Sequence, residues 1–315
     1  MEQIVFLDRD TVRTEFRAPN FEHSWLDYPT TASEQILARL QDATIAITNK
    51  IPLRAGVLAQ LPKLRLIMVA ATGYDCIDVP YCRDHQIAVC NVRHYSSQSV
   101  AEHALMLMLN LHRNFVAYQM DVNAGDWQRT STFCLNTHLI RDLQGSTLGL
   151  IGYGAIGQAV GRLASAFGMK ILVGERKGIV DVRNGRVSFE QLLSESDCLS
   201  LHCPLTPETR GMIGTSELAR MKKSAILVNC SRGGLVDESA LVEALQQGEI
   251  AAAGVDVLSQ EPPVNGNPLL AVNLPNLIIT PHNAWASAQS QQNLADQIVN
   301  ILESFIQGNP INLVS

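Results

Sequence analysis

Charge is scarce in this chain of 315 residues. Only 17% of its side chains are Asp, Glu, Lys or Arg, against about 25% in an ordinary globular domain, a deficit that points to many segments buried on both faces. Excess positive charge is missing too. The net balance of −6 excludes the electrostatic footprint of a nucleic-acid or anionic-membrane binder. Long hydrophobic runs are absent: the most apolar helical stretch, 104–109, is interrupted by Asn110 and His112-Arg113, far short of the ~20 residues that span a bilayer. The run Ile4-Val5-Phe6-Leu7 behind the N-terminus is too short for a signal sequence and reads as a first strand. The seven cysteines form no CxxC pair, and an odd number in a chain too long to need covalent staples predicts a reducing, cytoplasmic home. A metal site is not expected either. His94, His103 and His112 recur every nine residues, and nine helical steps of ~100° reverse the face each time.

What is present is a chain with 46% hydrophobic side chains, enough for a full core and about two domains of ~150 residues. Short β-branched or apolar runs at 4–7, 44–48, 66–70, 88–91, 147–152, 170–174, 198–202, 225–229, 254–257 and 277–280 alternate with helical patterns. Such alternation predicts βαβ units and parallel sheets. A long helix over about 99–116 separates two blocks of strands, the first ending near Ser97, and a polar stretch at 123–142 follows without clear periodicity. A final helix over about 288–307 could pack on either block. The expected class is α/β in two lobes, and small-molecule chemistry is the expected business of the cleft at the strand ends.

Gly149-Leu150-Ile151 runs into Gly152-Tyr153-Gly154-Ala155-Ile156-Gly157, a strand, a GxGxxG turn and the start of a helix. In that context Gly152 makes the tight turn, Gly154 lets backbone approach a pyrophosphate, and Gly157 allows close helix packing. A second strand ends at Glu175, where a carboxylate would meet the ribose hydroxyls of NAD. Arg176 and Lys177 follow at once and could pair with the 2′-phosphate of NADP, so NAD is favoured with NADP open. Carbonyl chemistry with a nicotinamide needs a proton donor and a cation for an anionic substrate. His282 and Arg232 both follow apolar strands and are the candidates. Glu261, in the loop after a third strand, would orient His282 and favour its charged form.

Gly152 to Gly157, the run Asn229-Cys230-Ser231-Arg232-Gly233-Gly234-Leu235-Val236-Asp237, Gly254-Val255-Asp256-Val257 leading to Glu261-Pro262, and Thr280-Pro281-His282 together resemble the D-isomer-specific 2-hydroxyacid dehydrogenase family. Ala71-Thr72-Gly73-Tyr74-Asp75 and Ser99-Val100-Ala101-Glu102-His103 extend the likeness over most of the chain, and Asn283-Ala284-Trp285-Ala286-Ser287 resembles the glycerate dehydrogenase (hydroxypyruvate reductase) branch. Glu175 departs from the Asp that relatives more often place there. The resemblance implies reduction of a small 2-keto acid, hydroxypyruvate or glyoxylate, to the D-2-hydroxy acid by Arg232, Glu261 and His282. It implies that Thr72 and Gly73 offer N–H groups to the substrate carboxylate, with Lys50 nearby, and that Trp285 shapes the pocket. For the cofactor it implies Asp256 and Cys230 at the carboxamide, with Pro204 and Thr209 alongside.

The same resemblance implies a flavodoxin-like substrate domain made of 1–98 and 283–315, a Rossmann domain at 99–282, and a homodimer built on the long helix and the 123–142 stretch. Alternatives remain: another acid substrate within the family, or a dinucleotide-sensing corepressor-like protein. Gln in place of Glu261 would mark a formate enzyme, and phosphoglycerate enzymes often carry an appended domain beyond the point where this chain stops.

Overall fold

The computed structural model describes residues 1–314 and divides them into two compact units, Met1–Ser96 joined by the segment from Ala286 onward, and Ser97–Trp285. The first unit is built on β1 (Glu2–Phe6), β2 (His23–Asp27), α1 (Ile36–Leu40), β3 (Ile45–Thr48), α2 (Ala55–Leu58), β4 (Leu66–Val69), α3 (Val79–Asp84) and β5 (Ala88–Asn91). Its sheet is parallel with strand order β2-β1-β3-β4-β5. The inner strands β3 and β4 are buried along their whole length, as continuously apolar runs require when both faces are covered. Strand β2 is a difference from the sequence reading, which placed none there. It lies at the sheet edge with a half-exposed pattern, and a strand paired on one side only tolerates His23, Ser24 and Asp27 in place of an apolar run. Helix α3 opens with Pro80 in its first turn, and Asp78 caps it by accepting from the Tyr81 N–H at 3.2 Å.

The second unit contains α4 (Ser97–His112), α5 (Phe115–Asn123), α6 (Asp126–Arg129), β6 (Thr147–Ile151), α7 (Ala155–Ala166), β7 (Lys170–Val173), α8 (Phe189–Glu195), β8 (Cys198–Leu201), α9 (Thr215–Leu218), β9 (Ile226–Asn229), α10 (Glu238–Gln247), β10 (Ala252–Val255) and β11 (Leu277–Ile279). Its six strands are parallel in the order β11-β10-β9-β8-β6-β7. The chain reverses direction across the sheet beside β6, which is where α/β folds open a crevice for ligands. The long helix expected over about 99–116 stops at His112: Asn114 takes φ +49°, a left-handed turn that Asn tolerates better than most residues. Helix α4 lies so close to the sheet that a Cβ on Gly254 would stand 3.1 Å from Leu107. Strand β10 begins two residues before the expected 254–257, because Ala252 and Ala253 pair with Ile226 and Leu227 although alanine carries little β signal.

The chain then returns to the first unit through α11 (Ala288–Ile306), capped by Ser287, which accepts from the Ser290 N–H at 3.1 Å. Its buried face is Leu294, Ala295, Ile298, Val299, Ile301 and Leu302. Glu303 on α11 accepts both arms of the Arg17 guanidinium, at 2.6 and 2.8 Å, and the Val314 N–H donates to the Val89 carbonyl at 2.8 Å. Among the described residues no helix is long and apolar enough to cross a membrane.

Candidate active site

Three neighbouring strands of the second unit, β9, β10 and β11, end in loops that carry Arg232, Glu261 and His282. The His282 Nδ1 lies 2.5 Å from Glu261 Oε2, and Glu261 Oε1 accepts from the Leu258 N–H at 2.8 Å. Both carboxylate oxygens are thereby fixed, and the imidazole is fixed through one of them. Arg232 sits in extended backbone; its carbonyl accepts from Asn229 Nδ2 at 2.9 Å, and its guanidinium donates to the Ser231 carbonyl at 2.8 Å. The next residue has to be glycine. A Cβ on Gly233 would stand 1.9 Å from the Leu258 carbonyl carbon, so the Arg232 loop lies directly against the backbone leading to Glu261. Glu238 at the start of α10 braces that loop, accepting from the N–H and hydroxyl of Ser259 at 2.7 and 2.6 Å.

Asp256, 1% exposed, holds the turn that presents His282. Its carboxylate accepts from the Thr280 hydroxyl at 2.6 Å and from the N–H groups of Asn283 and Ala284 at 3.0 Å each, while its carbonyl accepts from the His282 N–H at 2.8 Å. His282 takes φ +52°, a conformation that needs such fixing in a residue with a side chain. His103 on α4 completes the network, 2.9 Å from the Thr280 hydroxyl and 3.6 Å from Asp256. Burial holds its imidazole below the ordinary histidine range, outweighing the pull of the Asp256 charge. Trp285 follows, half-buried against the cluster that includes Ala104 and Ala284.

At the other end of the sheet the turn 152–157 links β6 to α7. Gly152 takes φ +89°, and a Cβ there would stand 2.4 Å from the His202 carbonyl oxygen; one on Gly157 would stand 2.2 Å from the Gly152 carbonyl oxygen. At Gly154 a Cβ would meet nothing within 4 Å. The first two glycines are demanded by the protein itself, and the third faces open space in front of the N-terminus of α7, which begins at Ala155 and Ile156 and which no described side chain caps. Those features fit a dinucleotide pyrophosphate.

Glu175 follows β7. It is buried, and Arg183 donates to it through Nε and Nη2 at 2.6 Å each, with the Arg176 N–H at 2.9 Å. The Arg183 guanidinium, helped by that N–H, holds the carboxyl at about 2. Lys177 pairs instead with Glu217 at 3.0 Å. The turn from Pro204 to Thr209 is closed by the Thr209 hydroxyl, which donates to the Pro204 carbonyl at 2.8 Å. Cys230 is buried at the end of β9, and burial pushes its thiol well above the ordinary range, so it is no nucleophile.

In the first unit, Lys50 follows β3, and Thr72 and Gly73 follow β4, at the carboxyl ends of adjacent strands. The Thr72 hydroxyl donates to the Val92 carbonyl at 3.0 Å and Asn91 Nδ2 to the Thr72 carbonyl at 2.7 Å. Asp8 is a residue that motif and spacing do not reveal. Its buried carboxylate accepts from the Asn49 and Lys50 N–H groups at 2.9 and 2.8 Å and so fixes the Lys50 turn. Its only mark in the sequence is a carboxylate directly after an apolar strand. Arg183 and His103 are not legible as partners either: Arg183 meets Glu175 only once the loop between them folds back, and His103 meets residues distant in sequence.

A family model described as "D-isomer specific 2-hydroxyacid dehydrogenase, NAD binding domain" matches residues 105–284. The chain is similar to a glycerate dehydrogenase of Methylorubrum extorquens, 48% identical over 314 residues that cover 99% of each chain. It is also similar to solved structures. One is an acyclic imino acid reductase, Bsp5, in complex with NADPH and D-Arg (28% identity, TM-score 0.83, 99% of this chain and 100% of that one). Another is a D-lactate dehydrogenase of Aquifex aeolicus complexed with NAD and lactic acid (28% identity, TM-score 0.81, 99% and 98%).

Proposed function

The chain belongs to the D-isomer-specific 2-hydroxyacid dehydrogenase family, and from that premise we propose that it reduces hydroxypyruvate or glyoxylate to the D-2-hydroxy acid. The observation that carries this reading is the His282–Glu261 pair at 2.5 Å, set on a strand next but one to the strand that presents Arg232. The full-length likeness to a glycerate dehydrogenase supports the choice of acid, because oxidising glycerate at its 2-hydroxyl gives hydroxypyruvate.

When bound, the nicotinamide supplies the hydride. With Nδ1 committed to Glu261, His282 presents Nε2 to the keto oxygen and donates the proton that neutralises it. Glu261 fixes the ring plane and its orientation before the transfer. Arg232 pairs with the substrate carboxylate and draws electron density toward the keto oxygen, lowering the barrier at the carbon that receives hydride. Asp256 sets the His282 turn. Gly154 and the start of α7 hold the pyrophosphate, and the family resemblance implies that the N–H groups of Thr72 and Gly73 meet the substrate carboxylate, with Lys50 nearby.

A panel of 2-keto acids assayed with NADH and NADPH by nicotinamide absorbance tests the reading. Hydroxypyruvate or glyoxylate should give the highest kcat/KM, and His282→Ala should lower kcat by roughly 10²–10⁴. No oxidation of either cofactor with any acid, or near-normal turnover by the His282 variant, would overturn it.

A further inference from the structure

An acid at the end of the second Rossmann strand discriminates against NADP because its charge repels a 2′-phosphate. In this chain the acid does not stand alone. Glu175 is 2% exposed at its side chain while Arg183, eight residues on, is 57% exposed, and the two form a fork with both nitrogens at 2.6 Å. Together with the Arg176 N–H at 2.9 Å, these bonds occupy the carboxylate and cancel its charge within the fold. The surrounding segment 175–187 adds cations, for Arg176, Lys177, Arg183 and Arg186 outnumber Glu175 and Asp181. Lys177 is committed to Glu217 at 3.0 Å and Arg186 to the Gly174 carbonyl at 2.8 Å. Arg183, with the Arg176 N–H beside it, is therefore the cation seated on the carboxylate.

We propose that Arg183 sets the cofactor specificity of this chain: by pairing with Glu175 it removes the repulsion, and the side of its guanidinium outside the fork meets the 2′-phosphate when NADP binds. The fork engages Nε and Nη2, and a guanidinium carries five N–H donors, so the exposed side of Arg183 keeps donors for a second anion. NAD meets a neutral pair and NADP meets the remaining donors of its guanidinium, so both are accepted. The inference deepens the proposed function and rests on it, since it requires a dinucleotide on the 152–157 turn.

Calorimetric titration of the protein with NAD⁺ and with NADP⁺, in the absence of substrate, reads affinity without turnover. The ratio of the two Kd values should lie within about tenfold for the unaltered chain, and Arg183→Gln should raise the NADP⁺/NAD⁺ ratio by about 30-fold or more, because it exposes a bare carboxylate to the phosphate. Arg183→Lys keeps the charge without the fork and should fall between. Glu175→Gln frees the guanidinium and should move the ratio the opposite way, toward NADP⁺, which keeps the test decisive if Arg183→Gln fails to fold. A ratio unmoved by the Arg183 and Glu175 substitutions overturns the inference while leaving the enzyme reading intact. Absence of binding by both dinucleotides overturns the proposed function itself.

Discussion

His202, at the end of β8, illustrates how single residues near the nucleotide turn are held. Its Nε2 lies 2.8 Å from the Ser200 hydroxyl, whereas its buried Nδ1 has no hydrogen-bond partner, and burial lowers its pKa to about 4. The folded state therefore keeps the ring neutral in a range where the unfolded chain, titrating near 6.5, already takes up a proton. The stability this represents is fully present above about pH 6.5 and is lost as pH falls toward about 4, amounting to ~3 kcal/mol at most. Urea unfolding at pH 7 and pH 4.5 should show that His202→Asn flattens this loss relative to the parent; an unchanged acid dependence would show that the ring is not buried neutral. At this scale the sequence was informative wherever partners are near neighbours or follow strands. Gly152, Gly154 and Gly157 announce their turn by spacing, and His282, Arg232 and Glu261 by their place after apolar runs. Arg183 was illegible because its pairing depends on how a loop without periodicity folds back on Glu175. The family resemblance points Asp256 toward the cofactor, while most of the bonds its carboxylate makes in the fold hold the 280–284 turn.

The strand-turn-helix of β6 and α7 shows the same division between elements that packing dictates and those a ligand dictates. A methyl group on Gly157 would collide with the Gly152 carbonyl oxygen at 2.2 Å, whereas one on Gly154 would enter open space. Gly157→Ala should lower the thermal midpoint, with a stability cost of about 1–3 kcal/mol from overpacking. Gly154→Ala should leave the midpoint nearly unchanged and weaken dinucleotide binding, read by titration of the cofactor. Equal loss of stability in both variants would contradict this division. Sheet strands are legible where burial on both faces forces an almost wholly apolar run, as in β3, β4, β8 and β9. The edge strand β2 escaped notice, since one unpaired side relaxes that demand. The break between α4 and α5 escaped it as well, because Asn114 carries a left-handed turn inside a stretch whose apolar spacing continues on both sides.

On the scale of the whole molecule, the segment 115–140 of the second unit leaves Phe115, Met120, Trp127, Phe133 and Leu139 exposed, Phe133 at 91%. A concentration of large apolar side chains on one stretch is unusual for a surface that meets only water. A second copy of the chain is the occupant we propose, in keeping with the family resemblance. Light scattering on the eluting protein should give a dimer mass at micromolar concentration, and Phe133→Asp with Leu139→Asp should give the monomer; a parent protein that elutes as a monomer would remove the proposal.

The return of the chain to its first unit also has a consequence for synthesis. Glu303 receives Arg17, Val314 meets Val89, and α11 buries its apolar face in a unit whose five strands all lie before residue 92. The ribosome must emit all of Ser97–Trp285 before those partners exist, a delay of roughly 10–40 s at ~5–20 residues per second. The unit begun first is thus the last to be completed. The continuous unit, begun later, can close while its neighbour is still waiting, and the nascent first unit is the one with most need of a chaperone's protection.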